Sequence, residues 1–218
     1  MLRESRLGNC YRKWIDGVAV PFLSHLAVKP DHLSLAGLWL SLLAIPAYSY
    51  ALWLGGIVIL VSGGMDTLDG SLARKASQPS PSGAFLDSVL DRYSDFFSVL
   101  GVWLFYFFHP SIDHQRVITA LLFLYLSGSF LVSYSRARGE GLGLSVSIGC
   151  FGRAERIIIL GLGSILTDLL AFFFRAHSWA SNRHFFIAIL FLLVIGSHLT
   201  ALKRIVFLLK NLNSSGRA

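Results

Sequence analysis

Charged side chains are scarce in this chain. Asp, Glu, Lys and Arg make up 14% of its 218 residues, where a soluble domain carries roughly a quarter. Together with 54% hydrophobic residues and a mean hydropathy of +0.63, that shortage excludes an ordinary water-soluble domain. It predicts an all-α integral membrane protein built as a single domain. Cysteine is nearly absent: Cys10 and Cys150 give neither a disulfide framework nor a zinc-ligand spacing. The opening MLRESRLGNCYRKW lacks an apolar stretch of the cleavable kind, so no signal peptide is expected. No internal repeat is visible. The net charge of +7 does not call for a nucleic-acid partner, because the placement of the basic residues explains it.

Acidic residues are rarer still, yet they cluster. Five of the twelve, Asp66, Asp69, Asp87, Asp91 and Asp95, fall within residues 62–95, between stretches as apolar as lipid. A carboxylate in such surroundings is costly without a metal ion, a base or a proton to neutralise it. Asp66 and Asp69 are three residues apart, and Asp87 and Asp91 are four apart, so each pair shares one face of a helix. Two such pairs on facing helices direct four carboxylates at one another, and these repel unless cations intervene. Hard oxygen ligands suit Mg²⁺ or Mn²⁺ rather than zinc. Gly63, Gly64, Gly70 and Ala73 lie among them, and small residues let a substrate or another backbone come close. Asp95, taken alone, reads equally as a structural group (a helix cap or an ion-pair partner) and as a member of the functional cluster.

Along the chain, residues 1–28 mix Arg3, Arg6, Arg12 and Lys13 with Tyr11, Trp14, Ile15 and Phe22, the pattern of an amphipathic helix lying on a membrane surface. Lys29-Pro30 breaks it, and Asp31 or Ser34 is placed to cap the first span. Six spans of about 20 mainly apolar residues are expected, near 33–53, 55–75, 83–108, 117–135, 155–173 and 184–203, making a bundle over 29–210 and a frayed tail from 211. Pro46 is expected to kink the first. With the N-terminus in the cytoplasm, cytoplasmic segments hold fifteen Lys and Arg residues and the outer turns hold three, Arg116, Arg175 and Arg183. That bias predicts both termini inside. It puts the carboxylates, near the turn KASQPSPSG (75–83), on the same cytoplasmic side as the arginine-rich stretch 136–156. Two metals roughly 3.5–4 Å apart can stabilise attacking and leaving oxygens in a phosphoryl displacement, and arginines bind phosphate in bidentate fashion. The arrangement suits a reaction joining a water-soluble phosphate compound to a lipid.

Asp66-Thr-Leu-Asp69-Gly70-Ser-Leu-Ala73-Arg74, eight further residues, and then Gly83-Ala-Phe-Leu-Asp87-Ser-Val-Leu-Asp91 resembles the signature of the CDP-alcohol phosphotransferases, with all eight defining positions present. The six-span layout with a surface helix in front resembles the family over the whole chain. The resemblance implies displacement of CMP from a CDP-linked donor by an acceptor hydroxyl, with two Mg²⁺ or Mn²⁺ ions as cofactors. It places the metals on Asp66, Asp69, Asp87 and Asp91, and makes Asp91 the general base. It implies room for the cytidine nucleotide at Gly70, Ala73 and Gly83. It further implies contacts from Asp69, Arg74 and Ser80, closure by Pro30, Asp31, His32 and Ser34, and a homodimer.

Ser133–Gly141 (SYSRARGEG), Phe151–Arg156 (FGRAER) and Lys29-Pro30-Asp31 resemble the prokaryotic phosphatidylinositol-phosphate synthase branch. That implies transfer from CDP-diacylglycerol, or an ether analogue, to inositol phosphate, with Arg136, Arg138, Arg153 and Arg204 gripping the acceptor phosphate. Where this chain has Arg136, that branch often has Lys, and the two cations differ in geometry. Glycerol 3-phosphate is the alternative acceptor; serine would leave these arginines without an anionic partner. A divalent-cation transporter is the rival from another class. It needs polar residues through the outer half of the bundle, where Ile57–Val61 and Leu100–Phe108 are almost wholly apolar. A scaffold with lost activity would not keep all four carboxylates.

Overall fold

The structure, a computed structural model, describes residues 30–75, 81–109, 114–146, 148–174 and 184–215, with the backbone alone for 30–35, 69–75, 214 and 215. The expected surface helix over 1–28, Lys29, and most of the 75–83 turn with Ser80 lie outside the described residues. What is described is helical: α1 (Pro30–Tyr50), α2 (Leu52–Lys75), α3 (Pro81–Phe108), α4 (Gln115–Glu140), α5 (Arg153–Phe173) and α6 (His184–Ser215). Among the described residues, Gln115–Glu140, Arg153–Phe173 and His184–Asn213 are long and apolar enough to cross a membrane. Ala36–Tyr50 and Leu52–Leu68 form shorter apolar stretches.

Three boundaries differ from expectation, the first being the end of α4, at Glu140 rather than near 135. α1 starts at Pro30, so Asp31 and Ser34 lie inside its first turns rather than before it. Proline suits the first helical position, where its missing N–H has no intrahelical partner to lose. α6 continues to Ser215, past residue 210 where a tail was expected, because nothing in KNLNSS breaks a helix before Gly216. Pro46 sits within α1 without ending it.

α1 packs chiefly on α2 and α3, α2 also on α5, and α4 on α6. Glycines set the closest crossings. A Cβ on Gly56 of α2 would stand 2.6 Å from the Gly161 carbonyl oxygen of α5, and one on Gly101 of α3 would stand 2.9 Å from the Ala44 carbonyl of α1. Backbones approach this closely only where side chains are missing. The core between the helices holds Tyr48, Leu52, Val102, Phe105, Ile118, Leu122, Phe186, Leu190 and Leu193. Large apolar residues such as Trp39, Phe85, Phe123, Phe130, Phe172 and Phe191 point outward, as a lipid-facing surface requires. Some polar groups between the helices pair within the bundle: the Tyr48 and Ser164 hydroxyls lie 3.3 Å apart, and Ser62 Oγ donates to the Gly37 carbonyl at 2.9 Å.

This packing brings the last turns of α2, the first half of α3 and the start of α5 to one end of the bundle. The loop from Gly141 to Gly152 belongs to the same end. Arg204 of α6 holds it there, donating from Nε to the Ile148 carbonyl (2.8 Å) and from Nη1 to the Val132 carbonyl (2.6 Å).

Candidate active site

Three carboxylates from two helices converge. Asp66 comes from α2, and Asp87 and Asp91 come from successive turns of α3. Each offers an oxygen, and these oxygens all lie within 4.8 Å of one another. The spacing explains the convergence: Asp87 and Asp91 stack on the α3 face turned toward α2, where Asp66 sits more than two turns before the helix ends. Gly64, two residues before Asp66, opens space on α2: among the described residues, nothing outside its own stretch of helix lies within 4 Å of a Cβ placed there. The side chain of Asp69 is not among those described; its backbone lies on α2, three residues past Asp66.

A guanidinium enters this group from α5. Arg153 Nη1 lies 2.5 Å from Asp66 Oδ2 and 2.9 Å from Asp91 Oδ1, while its Nε stands 3.8 Å from Asp95 Oδ1. Arg153 was expected among the acceptor-phosphate residues; the structure sets it among the carboxylates. Arg92 flanks the group, with Nη1 3.9 Å from Asp91 Oδ2. The donor set fits a divalent cation. Its oxygens are hard, converge from two rigid helices and carry more negative charge than Arg153 alone can balance. Carboxylates this close, two of them partly buried, need positive charge between them.

Asp95 is different. It is buried, and its Oδ2 accepts from Ser129 Oγ of α4 and from Arg156 Nη2 of α5, the latter at 3.1 Å. The reading of Asp95 as an ion-pair partner holds. Arg156, at 1% exposure, is the most deeply buried charge among the described residues. Neither Arg156 nor Ser129 stands out as a site residue in the sequence. The available signal is that Arg156 follows Arg153 by three residues, on the same helix face, in a segment that otherwise turns apolar.

The remaining residues are spread more widely. Gly83 lies in the first turn of α3 and is half-buried; Pro30, Asp31, His32 and Ser34 fall in the first turns of α1, and Gly70, Ala73 and Arg74 in the last turns of α2. Arg136 and Arg138 are exposed near the end of α4, where Arg136 Nε donates to Glu140 Oε1 at 2.8 Å. Arg204 commits two of its donors to the Ile148 and Val132 carbonyls and lies within electrostatic reach of Arg136 and Arg156. Cations grouped in this way favour an anion.

The family model for CDP-alcohol phosphatidyltransferase matches residues 27–180. The chain belongs to the CDP-alcohol phosphatidyltransferase family. It is an enzyme of this class and a multi-pass membrane protein. It is 32% identical over 212 residues to the archaetidylinositol phosphate synthase of Methanothermobacter thermautotrophicus, covering 97% of this chain and 98% of that one. It is 33% identical over 165 residues to the phosphatidylinositol phosphate synthase of Streptomyces avermitilis, covering 72% of this chain and 65% of that one. Among solved structures it resembles the Mycobacterium tuberculosis phosphatidylinositol phosphate synthase, PgsA1, with CDP-DAG bound. There the TM-score is 0.73 and the identity 27%, over 87% of this chain and 91% of that one. The same enzyme in complex with manganese and citrate matches with a TM-score of 0.73 and 27% identity, over 87% of each chain.

Proposed function

We propose that this phosphatidyltransferase moves a phosphatidyl-type group from CDP-diacylglycerol, or a diether counterpart, to a hydroxyl of inositol phosphate, releasing CMP. The observation that carries the proposal is the convergence of Asp66, Asp87 and Asp91 within 4.8 Å, in the family's signature and beside buried arginines. The relatives' names favour inositol phosphate over glycerol 3-phosphate: they are archaetidylinositol and phosphatidylinositol phosphate synthases.

In this reading Asp66, Asp69, Asp87 and Asp91 hold two divalent ions, Mg²⁺ or Mn²⁺. When bound, such ions withdraw charge from the phosphoryl oxygens and the leaving CMP. Asp91 takes the proton of the acceptor hydroxyl as its oxygen attacks the lipid-linked phosphorus and the bond to CMP breaks. Its burial supports that role: it is the least exposed of the three converging carboxylates, and Arg153 orients it from one side. Gly70, Ala73 and Gly83 leave room for the nucleotide. Arg74 and Ser80 bind its phosphates, and Pro30, Asp31, His32 and Ser34 close over it. Arg153, with Arg136, Arg138 and Arg204, draws in the acceptor's phosphate. The chain forms one membrane domain of six spans behind an amphipathic surface helix. The site and both termini face the cytoplasm, and the enzyme works as a homodimer.

The test is CMP release by the purified protein from CDP-diacylglycerol with Mg²⁺ or Mn²⁺, comparing inositol phosphate, glycerol 3-phosphate, serine and free inositol. Inositol phosphate is expected to support the fastest release. Faster release with glycerol 3-phosphate would transfer the proposal to that acceptor. Metal flux in proteoliposomes without CMP release would overturn it.

A further inference from the structure

Asp95 lies one turn beyond Asp91 on the same face of α3, but its surroundings are those of a closed core. Its side chain is 7% exposed against 22% for Asp91, and its oxygens are not among those that converge with Asp66 and Asp87. One oxygen accepts from Ser129 and Arg156, and the other faces Arg153 Nε. With a guanidinium on each side, this carboxylate has little charge left to offer a metal ion.

The contacts continue past Arg156. Its Nη1 donates to the Phe151 carbonyl at 3.2 Å, and the Phe151 amide donates to Thr200 Oγ1 of α6 at 3.3 Å. The Phe151 ring packs so tightly on Gly196 that a Cβ there would come within 2.4 Å of it. Phe151 is thus held from two directions, and Arg153 follows it by two residues as the first residue of α5. Through Ser129, Arg156 and Thr200 one buried carboxylate links α3, α4, α5 and α6 directly beneath the site.

We propose that Asp95 is a positioning residue: paired with Arg156 and Ser129, it sets where the Arg153 guanidinium stands over Asp66 and Asp91. Asp95 is therefore no metal ligand. This rests on the proposed function, in which Arg153 serves the acceptor's phosphate. Loss of the Asp95 charge leaves Arg156 buried without a counter-charge and frees the start of α5 to shift. The acceptor then binds poorly while the nucleotide and metal sites persist.

The test takes the full-length protein in detergent as wild type, Asp87→Asn, Asp95→Asn, Ser129→Ala and the double variant Asp95→Asn with Arg156→Gln. Mn²⁺ binding is followed by electron paramagnetic resonance, and KM is measured for inositol phosphate and for CDP-diacylglycerol. Asp95→Asn is expected to raise the acceptor KM about tenfold or more, with the donor KM and Mn²⁺ affinity as in the wild type. Ser129→Ala, which keeps both charges, shifts the acceptor KM in the same direction by less. The double variant recovers most of the loss, since no unmatched charge stays buried. A fall in Mn²⁺ affinity on Asp95→Asn as large as on Asp87→Asn would make Asp95 a ligand and overturn the proposal. An unchanged acceptor KM in Asp95→Asn would overturn it too; should that variant not fold, an unchanged acceptor KM in Ser129→Ala would do so. A wild type inert toward inositol phosphate sinks the acceptor reading, and the proposal with it. An active wild type with unaltered variants sinks the proposal alone.

Discussion

The two ends of the bundle treat the same side chain in opposite ways. At one end, Asp66, Asp87 and Asp91 face one another, with Arg153 between two of them. At the other, about 20 Å away along α2, Asp168 of α5 stands apart from them, and its Oδ2 accepts the backbone N–H of Trp53 at 3.0 Å. Trp53 lies in the first turn of α2, whose amides have no intrahelical acceptor, so Asp168 caps a neighbouring helix. A second contact at that end is also local: His114 and His184, at the starts of α4 and α6, bring their Nε2 atoms within 3.0 Å. The difference lies in number and company. A carboxylate that stands apart from other acids and accepts a backbone N–H at a helix start is structural, whereas three that find each other store negative charge and call for cations.

Breaking the charged end should have the largest effect. Asp91→Asn removes the proton acceptor while keeping the shape, so CMP release should fall by about 10²–10⁴-fold, with thermal unfolding in detergent close to that of the wild type. Full turnover by the purified variant would show that Asp91 is not the base. Asp87→Asn should weaken Mn²⁺ binding in a resonance titration and slow release at limiting metal. Excess metal should restore part of that rate, which it cannot do for Asp91→Asn.

Effects between the two ends should appear as stability alone. Gly56→Leu places a side chain where α2 meets Gly161 of α5 and should cost about 1–3 kcal/mol by overpacking, read as a lower unfolding midpoint. The smallest change is expected at the far end. Asp168→Ala removes a cap worth about 1 kcal/mol and should leave the acceptor and donor KM values untouched. A large loss of turnover there would erase the contrast between the ends.

Much of this was readable in the sequence because lipid imposes simple rules. Apolar runs located all six described helices to within a few residues, apart from the extended ends of α4 and α6. The spacing of Asp66, Asp87 and Asp91 anticipated that they would meet. What spacing could not supply was the partner of each charge. Arg153 reaches Asp66 across 87 positions of sequence, and Arg156 reaches Asp95 across 61. Such pairings depend on how α5 packs on α2, where Gly56 meets Gly161. Arginines that looked alike in the 136–156 stretch therefore divide three ways. Arg153 joins the carboxylates, Arg156 is buried against Asp95, and Arg136 pairs with Glu140 on the surface. Arg204, grouped with them from the sequence, ties the loop to α4 through the Ile148 and Val132 carbonyls.

The most direct test is a Mn²⁺ titration by electron paramagnetic resonance of the wild type, Asp66→Asn, Asp87→Asn and Asp168→Asn proteins, without substrate. Saturable binding by the wild type and by Asp168→Asn, lost or sharply weakened in Asp66→Asn and Asp87→Asn, is the predicted result. Binding that survives both inner substitutions, or that Asp168→Asn abolishes, would contradict a metal centre between α2 and α3.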